Sequence, residues 1–333
     1  MSEPAKGILV SHRFPAEAEA TLLEQARQAG LAVRFVRVPE DPEARVAEAD
    51  LQSLRAAFYS SDLMLKYGRS FFSAVRKAPN LDWVQICVAG VDHPAFVDLL
   101  KRGKCVTNAS GTTAVPIAQT AITGLMMLLR GFPHWLSAQR RREWDQLPRH
   151  NMPRDIGGQW VCVLGMGNIG TEIARLAQAF GMKVAGIRRS PRRPEDPVDA
   201  MHPPAELAAV LPRCQALVVA CPLTDETRGL VNAAMLAALP RGAQVVNIAR
   251  GEVINEAALI QALRTGHVAG AYLDVFEREP LPPESPLWDM PNVIASPHNS
   301  FASSGNEARL LALFLDNAAC WLHGRPMRNV AAL

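Results

Sequence analysis

The run Trp160-Val161-Cys162-Val163-Leu164-Gly165-Met166-Gly167-Asn168-Ile169-Gly170 stands near the middle of the 333-residue chain. An apolar stretch feeds a glycine turn. A helical pattern follows, in which Ile169, Ile173, Leu176 and Phe180 share one face and Gly181 can end it. Strand, G-x-G-x-x-G turn and helix in that order let backbone approach a pyrophosphate and set the anion at the positive end of a helix dipole. Alone, a six-residue glycine pattern is weak. Its strand, its helix and the strand–helix alternation downstream give it weight. A dinucleotide site that begins near residue 160 leaves a long N-terminal segment for another purpose.

Downstream, strands are expected at Val161–Leu164, Lys183–Ile187, Ala216–Ala220, Gln244–Ile248, Ala269–Leu273 and Val293–Ala295. Six strands with helices between them fit a doubly wound nucleotide-binding sheet. Upstream, strands are expected at Ile8–Val10, Ala32–Val36, Ala56–Tyr59, Leu81–Ile86 and Cys105–Thr107. Helices at Ala16–Ala29 and Pro94–Arg102 lie among them, ending at Gly30 and Gly103. This is a second α/β unit with a mostly parallel sheet. After the polar link Asn108–Thr113, the apolar helix Val115–Leu129 reads as the element that carries the chain from one domain to the other. Residues 139–143 (QRRRE) read as a solvated helix face. An amphipathic helix over Ser303–Leu322 is expected to pack back on the first domain.

The length suits two domains. The expected fold is α/β: two Rossmann-like or flavodoxin-like domains with doubly wound parallel sheets and a cleft between them. Residues 1–110 and 301–333 would form the substrate-binding domain, and 111–300 the NAD(P)-binding domain. A hydrophobic fraction of 49% and a charged fraction of 20% allow large cores. A formal charge of +3 makes no case for nucleic acid or an anionic membrane. No apolar run is long enough to span a bilayer. Cys87, Cys105, Cys162, Cys214, Cys221 and Cys320 form neither a CxxC nor a Cys/His cluster. That argues against a zinc site or disulfides and for a reducing, cytoplasmic setting.

The second strand of the nucleotide domain ends Gly186-Ile187-Arg188-Arg189-Ser190. An acid at this point would bind the ribose hydroxyls of NAD and repel a 2′-phosphate. Two guanidiniums and a hydroxyl stand there instead, and they are good phosphate donors. NADP is favoured, with NAD possible as a second cofactor.

Three titratable or charged residues follow later strands, where the ligand crevice of an open α/β sheet lies. Arg250, in Asn247-Ile248-Ala249-Arg250-Gly251, can hold a carboxylate bidentately and polarise a carbonyl. Glu279 stands among several acids in Asp274–Pro280, any of which could be merely solvated; Asp274 could touch the cofactor. His298, in Ser296-Pro297-His298-Asn299-Ser300, can act as acid and base if a carboxylate pairs with it.

These motifs resemble the D-isomer-specific 2-hydroxyacid dehydrogenase family over nearly the whole chain. The resemblance includes Val88-Ala89-Gly90-Val91-Asp92, Asn108-Ala109-Ser110-Gly111, the 165–170 turn, Cys221-Pro222-Leu223-Thr224, Asn247–Gly251, Leu273-Asp274-Val275-Phe276, Glu279-Pro280 and Ser296-Pro297-His298. It implies that Arg250 binds the substrate carboxylate, that His298 is the general acid in reduction, and that Glu279 pairs with it. It implies that amides around Val88, Ala89 and Gly90 help hold the carboxylate. Gly165, Gly167, Asn168, Ile169 and Gly170 would meet the pyrophosphate. Arg188, Arg189 and Ser190 would meet the adenosine ribose, and Cys221, Pro222, Ile248, Ala249 and Asp274 would line the cofactor. The implied substrate is a small 2-oxo or 2-hydroxy acid, glyoxylate or hydroxypyruvate first, and the implied assembly a homodimer.

The chain departs from the family at Gln119, where Glu is common, at Ser296, where Thr is common, and at Asn299-Ser300-Phe301, where small residues are usual. The last change bears on the nicotinamide end or the pocket size. A formate dehydrogenase is disfavoured, because Glu279 stands where such enzymes carry Gln. A dinucleotide-sensing corepressor and a phosphoglycerate dehydrogenase are the remaining alternatives.

Overall fold

The computed structural model describes residues 5–91, 93–149 and 152–332. The chain divides into two compact units, 1–112 with 304–333 and 113–303.

In the first unit, β1 (Lys6–Val10), β2 (Val33–Arg37), β3 (Leu54–Tyr59), β4 (Trp83–Ile86) and β5 (Cys105–Thr107) form one sheet in the order β2-β1-β3-β4-β5. Every pairing is parallel. The crossovers are α1 (Ala16–Gln28), α2 (Glu48–Leu51), α3 (Ser61–Lys66), α4 (Gly68–Lys77) and α5 (Pro94–Lys101). Strand alternation feeds both faces. Leu9 joins Phe71, Val75, Phe96 and Leu99 on one side. Ile8 and Val10 join Ala18 and Leu22 on the other.

The second unit opens with α6 (Ala114–Leu129) and α7 (Phe132–Arg141). Its strands are β6 (Trp160–Leu164), β7 (Lys183–Ile187), β8 (Ala200–His202), β9 (Ala216–Val219), β10 (Ala243–Asn247), β11 (Val268–Leu273) and β12 (Val293–Ala295). They run in the order β12-β11-β10-β9-β6-β7-β8, again with every pairing parallel. The helices among them are α8 (Asn168–Ala179), α9 (Leu207–Val210), α10 (Ala233–Ala238) and α11 (Glu256–Arg264). The order reverses between β6 and β9, which makes that gap the topological switch point. Val161 and Val163 face α6 and α8, whereas Cys162 and Leu164 face α10 and α11.

Two readings change. β8 is a seventh strand, too short and too mixed in sequence (Ala-Met-His) to show an alternating pattern. Phe180 does not share the buried face of α8; that face is Gly170, Ile173, Ala174 and Ala177, and Phe180 is exposed beyond the last turn. The helix Val115–Leu129 begins at Ala114, directly after the boundary between the units, and packs within the second unit against α8, β10 and β11. Residues 139–143 are solvent-facing, but the helix stops at Arg141, because Arg142 takes a left-handed φ of 59°. Among the described residues no single helix is long and apolar enough to cross a membrane; α6 and α7 pass that test only as a pair bent by 74°.

The final helix, α12 (Asn306–Leu322), returns to the first unit. Phe314 stacks on Phe58 at 4.2 Å between centroids and on Trp83 at 5.5 Å. A buried polar chain fixes its register. Trp83 Nε1 donates to Thr107 Oγ1 (2.7 Å), Thr107 Oγ1 to Gln85 Oε1 (2.8 Å), and Asn317 Nδ2 to the same Gln85 oxygen (3.0 Å). Asn317 also accepts from the Arg328 amide at 2.8 Å. Replacing Asn317 by Leu takes one of two donors from Gln85 Oε1, which keeps Thr107, and strands the Arg328 amide and carbonyl, at about 1–3 kcal/mol for each unsatisfied group. Urea melts of Asn317→Leu should show a loss of at least about 2 kcal/mol; an unchanged midpoint would contradict this role for the network.

Candidate active site

The glycine turn at the end of β6 is built for close approach. Gly165 has a φ of 103°, and a Cβ there would lie 2.5 Å from the Cys221 nitrogen, across the switch point. At Gly170 a Cβ would lie 1.9 Å from the Gly165 oxygen. Gly167, by contrast, has nothing within 4 Å of such a Cβ, so the space over the turn is open. It stands directly before α8, whose N-terminus has no side-chain cap. Bare backbone at the positive end of a twelve-residue helix suits a dinucleotide pyrophosphate, and Asn168 and Ile169 form its first turn.

The remaining expected cofactor residues lie along the same C-terminal edge. Cys221 and Pro222 follow β9, Ile248 and Ala249 follow β10, and Asp274 follows β11. Cys221 is buried, which pushes its thiol up to about 11. It is a neutral packing group near pH 7.

After β7, Arg188, Arg189 and Ser190 divide in role. The Arg188 guanidinium forks onto Asp196, with Nη1 to Oδ1 at 2.9 Å, and its Nε donates to the Ser190 carbonyl at 3.1 Å. Both side chains of the ion pair are nearly buried. The Arg188 guanidinium holds the Asp196 carboxyl below the usual carboxylate range. Arg188 is therefore engaged within its own loop, whereas Arg189 and Ser190 are exposed. Arg189 is exposed and pairs with exposed Glu226, an association worth little and readily exchanged for a stronger anion. Ser190 is exposed beside it.

Arg250, Glu279 and His298 follow β10, β11 and β12, three neighbouring strands. The Arg250 turn is fixed from beneath. Buried Asn247 accepts from the Ala249 amide (3.1 Å) and donates to the Arg250 carbonyl (3.0 Å). At Gly251 a Cβ would lie 1.8 Å from the Phe276 carbonyl carbon, so the turn sits directly on that backbone. Arg250 itself is exposed, with Nη1 donating to the Ala249 carbonyl at 2.6 Å.

His298 Nδ1 lies 2.8 Å from Glu279 Oε2, and the Phe276 amide donates to Glu279 Oε1 at 3.1 Å. An ionised carboxylate only accepts, so Nδ1 carries the proton of this bond and Nε2 is the ring nitrogen outside it. His298 has a φ of 50°, uncommon for a non-glycine residue. Asp274 imposes it. The carboxylate, 1% exposed, accepts from Ser296 Oγ (2.6 Å), the Asn299 amide (2.9 Å) and the Ser300 amide (3.1 Å). Its carbonyl accepts from the His298 amide at 2.8 Å. The Asp274 side chain thus builds the histidine loop, a role beyond the expected cofactor contact. Of the departures after His298, Ser300 is buried in this loop and Phe301 is exposed.

Val88 and Ala89 lie in a bend after β4 in the first unit, Gly90 follows it, and Ala89 and Gly90 are exposed. Asp92, which closes that motif, lies outside the described residues. Sequence reasoning missed Asn247, Gly251 and Asp196 as residues that shape these loops. An Asn at a strand end three residues before the Arg was a readable signal for the first. Arg188 and Asp196 pair across a loop, which no short pattern marks.

A glycine turn at the switch point of a parallel sheet, with an Arg and a His–Glu pair on neighbouring strand ends, defines a dinucleotide-dependent oxidoreductase. Residues 122–300 match the model of the D-isomer specific 2-hydroxyacid dehydrogenase NAD binding domain. A glyoxylate reductase of Korarchaeum cryptofilum is 32% identical over 258 residues, 76% of each chain. The crystal structure of a D-isomer specific 2-hydroxyacid dehydrogenase from Xanthobacter autotrophicus Py2, in complex with NADPH and MES, superposes with a TM-score of 0.73. It is 32% identical, with 99% of this chain and 98% of that one covered. An NADPH-dependent glyoxylate/hydroxypyruvate reductase of Sinorhizobium meliloti, solved with NADP and sulfate, gives a TM-score of 0.71 at 31% identity, with 98% of both chains covered. The chain belongs to the D-isomer specific 2-hydroxyacid dehydrogenase family. It is an NAD(P)-dependent oxidoreductase of 2-oxo and 2-hydroxy acids.

The two arginines after β7 should separate by experiment. Arg189→Ala should raise KM for NADPH about 10-fold or more and leave KM for NADH nearly unchanged, as the loss of a charge-assisted bond to phosphate requires. Arg188→Ala should weaken both cofactors and lower Tm. Equal loss of NADPH and NADH in Arg189→Ala would refute the assignment.

Proposed function

We propose that this enzyme reduces a small 2-oxo acid, glyoxylate or hydroxypyruvate first among them, to the D-2-hydroxy acid with NADPH. The observation that carries the reading is the His298–Glu279 pair, at 2.8 Å, on strand ends beside the Arg250 turn. The basic loop after β7 and the NADPH-dependent Sinorhizobium relative support the cofactor and substrate assignments.

A nicotinamide cofactor held at the glycine turn would supply the hydride that reduces the keto carbon of the substrate. Arg250 grips the substrate carboxylate and draws electron density from the keto oxygen, so that negative charge growing there meets a fixed cation. His298 Nε2 gives its proton to that oxygen. Glu279 orients the ring through Nδ1 and stabilises the imidazolium that exists before the transfer. In the oxidative direction His298 takes the hydroxyl proton back. The amides of Val88, Ala89 and Gly90 serve as further carboxylate donors in this reading. Residues 113–303 act as the NAD(P)-binding part and the remainder as the substrate-binding part.

A homodimer and a cytoplasmic setting belong to the same proposal. Phe132, Trp135 and Leu136 of α7 are exposed, and Trp144 is 94% exposed. Such an apolar surface suits a second copy of this chain.

His298→Ala should lower kcat by about 10²- to 10⁴-fold with a smaller change in KM. Arg250→Ala should damage KM for the 2-oxo acid and kcat together. Undiminished turnover of His298→Ala at neutral pH would remove the histidine from the mechanism. By light scattering, the wild type should be a dimer, and Trp135→Glu should shift it toward monomer.

A further inference from the structure

Behind the histidine loop lies a buried phenol that the mechanism above does not use. Tyr272 is on β11, two residues before Asp274, and both side chains reach the Ser296 hydroxyl. It is 3% exposed. Its ring fills a hollow over Gly124 of α6, where a Cβ would come within 2.5 Å of the ring. The Tyr272 hydroxyl lies 2.8 Å from Ser296 Oγ, and Ser296 Oγ lies 2.6 Å from Asp274 Oδ1.

The direction of these bonds follows from valence. An ionised carboxylate only accepts, so the single Ser296 hydroxyl hydrogen points at Asp274. Ser296 Oγ must then accept from Tyr272. Burial, reinforced by the Asp274 charge, pushes the Tyr272 phenol above its ordinary range, so it keeps the proton it has to donate. The chain Tyr272–Ser296–Asp274 is one-way and ends on the carboxylate that binds the Asn299 and Ser300 amides.

We propose that Tyr272 is a positioning residue for His298, acting through the Ser296 hydroxyl and the Asp274 carboxylate that shape the histidine loop. The inference rests on His298 being the acid and base of the proposed reduction. Without the phenol, Ser296 loses its donor and is free to rotate. The carboxylate then loses its fixed third partner, and a histidine aimed at a reacting oxygen tolerates little displacement. Gly124 is part of the device, because a larger residue would evict the ring.

The test is steady-state kinetics with NADPH and glyoxylate or hydroxypyruvate, with Tm measured alongside. The panel is Tyr272→Phe, Ser296→Ala, the double variant, Ser296→Thr and His298→Ala. Tyr272→Phe and Ser296→Ala should each lower kcat about 3- to 10-fold, the scale of one buried hydrogen bond, with both KM values within about twofold. The double variant should be no worse than the poorer single variant, since the groups act in series. Ser296→Thr keeps the hydroxyl and should restore turnover. Wild-type kcat in Tyr272→Phe, whether or not Tm falls, would overturn the proposal, as would losses that multiply in the double variant. A wild-type rate in His298→Ala, or no turnover in the wild type, would instead remove the reading on which the proposal rests, and the proposal with it.

Discussion

The Asp274 carboxylate is the constraint on which the catalytic edge of the second unit depends. A carboxylate that is 1% exposed is costly to bury unless its oxygens are satisfied. Here they are satisfied by one hydroxyl and by backbone amides that flank the histidine, so the cost of burial is offset by bonds that exist only when the loop has one shape. The left-handed backbone at His298 follows from that shape. From it follows the direction of the imidazole, with Nδ1 on Glu279. Strand order does the rest: β10, β11 and β12 are neighbours, so residues far apart in sequence meet along one edge.

The cofactor side obeys a different constraint, which is space. Gly165, Gly170 and Gly251 each stand where a Cβ would strike backbone at 2.5 Å or less, whereas Gly167 faces open space. The first three let strand, helix and loop close on one another. The last leaves the helix N-terminus bare for an anion. The loop after β7 combines both themes. Arg188 and Asp196 neutralise one another inside it, which frees Arg189 and Ser190 to face outward.

Much of this was legible in the sequence because it is local. The glycine turn, the apolar strands and the Ser-Pro-His loop carry their signals within a few residues, and the motifs that resemble the family placed Arg250, Glu279 and His298 on successive strand ends. What stayed hidden depends on partners far apart in the chain. Nothing near Arg188 marks Asp196 as its counter-ion. The pairing of Gly124 with the Tyr272 ring joins a helix to a strand well over a hundred residues away. The short strand β8 has no alternation to read, and Phe180 kept the helical period one step past the end of its helix.

The most direct measurement is turnover of a panel of 2-oxo acids by the purified wild-type protein, with NADPH and NADH in parallel and the handedness of the product determined. The account predicts consumption of one reduced dinucleotide per substrate, higher kcat/KM with NADPH, and a D-2-hydroxy acid as the product. Tight dinucleotide binding with no turnover of any 2-oxo acid would contradict it.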